Sequence, residues 1–154
     1  MSARSNGAAG HVSLLKMCVG IDRVPELLAW QARRLEERRR RKQPLELYHR
    51  TMQVPKRAAE IVAGGSLYWV IKGYIRVRQR IVRIDVLEPP VEGKRCVLVL
   101  GPELVRTALQ ARRPHQGWRY LEAKDAPADL PGGIEATDDL PSELVAELKV
   151  LGLL

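Results

Sequence analysis

The sequence predicts an α+β domain: a strongly bent, mostly antiparallel sheet or small barrel, flanked by two helices. Three observations predict it. "SLYWVIK" and "YIRVRQRIVRIDVLE" are rich in aromatic and β-branched residues and meet at Lys72-Gly73, a hairpin signature. The second of these runs changes its apolar parity partway along. Two segments, one after Asp22 and one at the C-terminus, carry apolar residues at helical spacing.

Residues 1–10 are polar and Gly/Ala-rich and are expected to be a disordered N-terminus. "HVSLLKMCVGI" reads as the first strand. Asp22 is the expected N-cap of the following helix, and Pro25 falls in the first turn, where its missing N–H is harmless. Val24, Leu28, Gln31 and Leu35 lie along one face with Leu27 beside them. The apolar stripe then stops, and "EERRRRK" continues with no face to bury, so this end projects into solvent or onto a partner. Pro44 ends the element.

"LELYHRTMQV" reads as a second strand. "PKRAAEIVAGG" is short and helix-like, with Gly64 and Gly65 suited to a left-handed exit. The hairpin follows. In its return strand Ile75, Val77 and Ile81 share one face and Arg76, Arg78 and Arg80 the other, whereas Val82, Ile84 and Val86 reverse the order. A strand has a side-chain period of two, so a bulge or sharp bend is required near Ile81–Val82.

Pro89-Pro90 and Gly93 are the expected next turn. "RCVLVL" is apolar on both faces and reads as a central strand. "GPELVRTALQ" fits either an edge strand or a helical turn. "ARRPHQGWRYL" is a loop turned by Pro114 and Gly117. "AKDAPADLPGGIEATDD" is an acidic Pro/Gly-rich loop. "LPSELVAELKVLGLL" closes the chain as a short helix with Leu140, Leu144, Leu148 and Leu151 on its apolar face. The expected division is therefore a tail at 1–10, a single α+β domain at 11–126, and an acidic loop with a docking helix at 127–154.

The 154 residues suit one core, and the 45% hydrophobic content argues against wholesale disorder. No apolar run is long enough to span a bilayer and the N-terminal pattern is not that of a signal peptide, so a cytoplasmic protein without membrane contact is expected. Cys18 and Cys96 sit in apolar runs and suit a reduced compartment as inert thiols. The net charge of +8 is unevenly placed: residues 1–121 hold 24 Lys+Arg against 10 Asp+Glu, and residues 122–154 hold 2 against 8. A basic body with an acidic tail points to an anionic partner, nucleic acid first. The bias of Arg over Lys is also what base composition alone produces.

His11, His49 and His115 are scattered and the cysteines lack metal spacing. There is no Walker loop, dinucleotide fingerprint or nucleophile elbow. No metal or cofactor is predicted. Three basic clusters remain. The first is the helix end Arg38 to Lys42. The second is the ladder Arg76, Arg78 and Arg80, whose steps of about 7 Å could track a phosphate backbone or decorate a solvated strand. The third is the loop, where Arg112, Arg113, Gln116 and Arg119 offer donors and Trp118 and Tyr120 offer flat faces for unpaired bases. Trp118 is equally a core anchor with the arginines around its rim.

The leading expectation is a non-catalytic nucleic-acid-binding module for RNA or a modified base, with these arginines on one shared wall. An enzyme would instead use "HRTMQVPKRAAE", where His49, Thr51, Lys56 and Glu60 stand close together and a lysine of lowered pKa beside a threonine and a carboxylate supports amide or ester hydrolysis. A third reading is a protein-interaction module using the basic face.

The runs "GGSLYWVIKGYIRVRQRIVRID", "CVLVLGPELVRT" and "RRPHQGWRYL" resemble those of the bacterial family catalogued as domain of unknown function 1489, over about His11 to Ala126. That resemblance implies no particular activity. In pattern, with a glycine turn before a strand and a long strand entering a bent sheet, the chain is also similar to PUA-like barrels, including the ASCH and EVE groups. This second likeness implies binding of RNA or modified bases. It also implies, for ASCH members, nucleoside hydrolysis by lysine, threonine and glutamate, but their motif is not matched around Lys56, Thr51 and Glu60.

Overall fold

The computed structural model describes residues 10–134. Six strands form one mixed sheet: β1 (Ser13–Met17), β2 (Leu47–Thr51), β3 (Ser66–Ile71), β4 (Tyr74–Val91), β5 (Lys94–Ala111) and β6 (Trp118–Leu121). Two helices interrupt them, α1 (Val24–Arg40) and the short α2 (Ala58–Val62). The strand order is β2-β5-β4-β3-β1-β6. β1 runs parallel to β3, and all other neighbours are antiparallel. β2 and β6 remain edges, so the sheet is bent but not closed.

The bend lies in the β4–β5 hairpin, two strands of 18 residues each. Register shifts occur between Gln79 and Ile81 and again between Ile81 and Arg83, where the parity reversal requires them. β3 pairs with β4 before the bend, and β2 pairs with β5 beside the part of β4 after it. "GPELVRTALQ" continues β5 as strand. The turn is not at Pro89-Pro90. β4 runs through both prolines to Val91, in a gap of its ladder with β5, and Glu92 and Gly93 make the turn with φ of 51° and 78°. The prolines are tolerated because this half of β4 has a free edge.

α1 differs from expectation at its start. Arg23 is the N-cap, and the Glu26 carboxylate accepts from the Asp22 and Arg23 N–H groups at 2.8 and 2.9 Å. Its buried residues are Val24, Leu27 and Gln31, while Leu28 is 41% exposed. The charged end is solvated, as its lack of an apolar stripe requires: Arg39 pairs with Glu36 in the open, and Arg38 lies 4.2 Å from the Tyr48 ring. Gly64 and Gly65 do not make a left-handed exit; a Cβ on Gly65 would stand 2.1 Å from the Val12 carbonyl oxygen. Their role is close approach to the chain entering β1.

The larger core joins Leu14, Leu67, Trp69, Val77, Ile81 and Leu98 to Val24 and Leu27 of α1. Each such fully buried side chain contributes about 1.5–3 kcal/mol. A smaller cluster, Leu15, Tyr68, Val70, Ile75 and Leu121, packs against Ala126. The packed chain continues past Ala126: the Ala108 N–H donates to Ala128 O and the Leu130 N–H to Arg106 O, both at 2.8 Å. Residues 1–9 of the expected tail at 1–10, the acidic segment beyond Ile134 and the C-terminal helix lie outside the described residues.

Candidate functional site

The arginine ladder of β4 is not a solvent-facing track. Arg76 and Arg78 are 5% and 8% exposed. The Arg76 Nε donates to Ile71 O at 2.6 Å. Arg78 makes a fork to both carboxylate oxygens of Asp129, at 2.8 Å each, and reaches Ser66 Oγ at 3.1 Å. The Asp129 hydrogen bonds hold the Arg78 guanidinium charged, raising its pKa against the cost of burial. Arg80 donates to Gly65 O and Val62 O. Burial, then Arg78, lowers its pKa. These side chains tie β4 to α2, β3 and the segment after β6.

The loop residues divide. Arg112 turns back on Gln110, and Arg113 points into solvent. Tyr120 is occupied: its hydroxyl accepts from the Arg57 N–H at 3.2 Å, and the Arg57 guanidinium stands 5.4 Å from its ring. Arg57 also pairs with Glu60 and Glu122. The expected common wall of Arg76, Arg78, Arg80, Arg112, Arg113 and Arg119 does not form.

Gln116, Trp118 and Arg119 do come together, with partners from elsewhere. They line a cleft of about 300 Å³ with Lys16 of β1, Arg50 of β2 and Lys94 of β5. The curl of the sheet produces it, by carrying the chain after β2 across to β6. The Trp118 Nε1 donates to Gln53 O at 3.0 Å, and its ring meets Tyr120 edge-on at 4.9 Å. Trp118 is thus both anchor and cleft wall. Arg119 donates to the carbonyls of Gln116 and Trp118. Among the described residues none of Lys16, Arg50, Lys94 and Arg119 has a carboxylate partner. Burial, and after it the Lys94 charge, lowers the Lys16 pKa.

Thr51 also lines this cleft, with its hydroxyl given to Gln53 O at 3.0 Å. Lys56 is exposed and Glu60 is clamped on Arg57, and neither lines it. The three candidate hydrolase residues are therefore not brought together.

A second cleft of about 290 Å³ adjoins the first through Lys16, which lines both. Trp30, Tyr48, His49 and Trp69 give it aromatic walls. Lys16 sits in register with Trp69 on one neighbouring strand and Trp118 on the other, which places its side chain on the face those two rings share. The Trp69 Nε1 donates to Gln79 Oε1 at 3.1 Å. Gln79 exchanges 2.9 Å hydrogen bonds with Gln31 and donates to Gly101 O. This buried amide network fixes the floor. His49 meets Trp69 edge-on at 5.0 Å. Its buried Nε2 has no hydrogen-bond partner among the described residues. Burial, then Lys16 and Lys94, lowers its pKa to about 4, so the imidazole is neutral at pH 7. Cys18, a free thiol also lining this cleft, is pushed up to about 12 by burial and is not a nucleophile.

Sequence reasoning missed Lys16, Arg50 and Lys94. The one available signal was Lys16, a cation interrupting an apolar strand. Among the described residues no cluster of metal-ligating side chains occurs, and no helix is long and apolar enough to cross a membrane. No curated protein and no solved structure matches the chain. One family model matches residues 14–154, reaching from β1 through the acidic tail, and the chain belongs to that family, described as Protein of unknown function (DUF1489).

Proposed function

We propose that the protein binds single-stranded nucleic acid, RNA first, in the cleft between the end of β2 and β6. One observation carries this reading: Lys16, Arg50, Lys94 and Arg119 converge beside the Trp118 ring with no carboxylate among the described residues to neutralise them. Chain phosphates supply the missing counter-charge, and the ring supplies a stacking surface. A cleft of this size accepts an unpaired strand rather than a duplex.

The test is binding of short RNA and DNA oligonucleotides across a salt series. Four phosphate contacts give a slope of about −3 in log K against log salt. Lys16→Ala with Lys94→Ala should lower the slope to about half. Binding that ignores both salt and the double substitution rejects the proposal.

A further inference from the structure

We infer that the aromatic cleft next to the cationic one is a receptor for a single unpaired base, whose own phosphate lies over Lys16. This rests on the nucleic-acid reading and adds to it a site where base identity is sensed.

Lys16 is common to both clefts and lies in register between Trp69 and Trp118. A phosphate held there places the attached nucleoside within reach of the second cleft. Its volume of about 290 Å³ lies at the small end of the range for ligand pockets, which begins at about 300 Å³, and is ample for one ring system. The floor is rigid, because the Trp69 indole is held by Gln79, itself bonded to Gln31 and Gly101. Trp30, 42% exposed on α1, forms a wall at the mouth. A flat heteroaromatic ring buries its faces against such walls and needs a polar group for its edge.

His49 supplies that group. Its Nε2 is buried and has no partner among the described residues. A neutral imidazole offers one donor and one acceptor, so once a turn of the His49 ring brings a nitrogen to the cleft it pairs with a base edge without adding another charge beside Lys16 and Lys94. A bare phosphate or sugar would leave Nε2 unpaired and the apolar walls uncovered. The occupant that satisfies walls, edge and adjoining cations together is a nucleotide of the bound strand.

The experiment compares intact short oligonucleotides with the same strands carrying one abasic position moved stepwise along the chain. In the native protein, loss of the base at one position should weaken binding about tenfold, the size of one base–aromatic stack. His49→Phe keeps the ring and removes the edge nitrogens, and Trp30→Ala removes an exposed wall. Each should shrink that tenfold difference to under about twofold while the salt slope stays unchanged. If every abasic strand binds the native protein like the intact one and the salt slope persists, the base receptor is wrong and the nucleic-acid reading stands. If no oligonucleotide binds, the nucleic-acid reading fails, and uncharged nucleosides then decide the cleft. Quenching of tryptophan fluorescence that His49→Phe abolishes retains a base site, and no quenching overturns it.

Discussion

Two groups of cations in this molecule have similar composition and opposite fates. Arg76, Arg78 and Arg80 are drawn into the body of the protein, where carbonyls of residues 62, 65 and 71, the Ser66 hydroxyl and the Asp129 carboxylate take up their donors. Lys16, Arg50, Lys94 and Arg119 meet at the open mouth of the same sheet and find no carboxylate there among the described residues. The difference lies in the supply of acceptors around each group. Buried guanidinium groups with matched acceptors are structural, whereas the cleft cations lack carboxylate partners among the described residues.

The largest test of this contrast is Asp129→Ala. It leaves the buried Arg78 guanidinium without its charged partner, the Ser66 hydroxyl remaining as acceptor, and should cost about 3–5 kcal/mol of unfolding free energy. A chemical-denaturation loss below about 1 kcal/mol would move Arg78 out of the structural group.

Next in size is the effect of acid. The His49 pKa is about 4 when folded, against 6.5 for the free side chain. The unfolded chain therefore takes up a proton that the folded one refuses. The resulting stability is complete above pH 6.5 and is lost as pH falls toward 4, to a limit of about 3 kcal/mol. His49→Phe should flatten that part of the stability profile, and a curve that keeps the native shape would refute the assignment.

Substitution in the cleft should have the opposite balance. Lys16→Ala with Lys94→Ala removes like charges that lower each other's stability, so the folded state should change by less than about 0.5 kcal/mol or gain slightly. Anion affinity should nevertheless fall severalfold. A clear loss of stability would place these lysines with the β4 arginines.

Arg83→Ala is the smallest perturbation and serves as a control. Arg83 forms exposed pairs with Asp85 and Glu46, an arrangement that solvent screens. Its loss should leave both the denaturation midpoint and oligonucleotide binding unchanged within error.

Local signals made much of the fold legible. The Lys72-Gly73 hairpin, the bend at Ile81–Val82 and the strand character of residues 66–71 follow from φ preference and side-chain period, which act over a few residues. The turn after β4 was misplaced because prolines usually end strands, and only the free edge of β4 tolerates them at residues 89 and 90. The candidate site was legible at Gln116, Trp118 and Arg119, where donors and a ring crowd one short loop. Lys16, Arg50 and Lys94 lie on three different strands, and nothing local links them.

By itself, then, the sequence determined the elements, the bend and the excess of positive charge, because propensity, periodicity and net charge are properties of neighbours along the chain. Only the tertiary structure decided which cations are structural and which face the cleft. That outcome depends on acceptors and walls brought from distant segments, Asp129 to Arg78 and β2 to β6, by the curl of one open sheet.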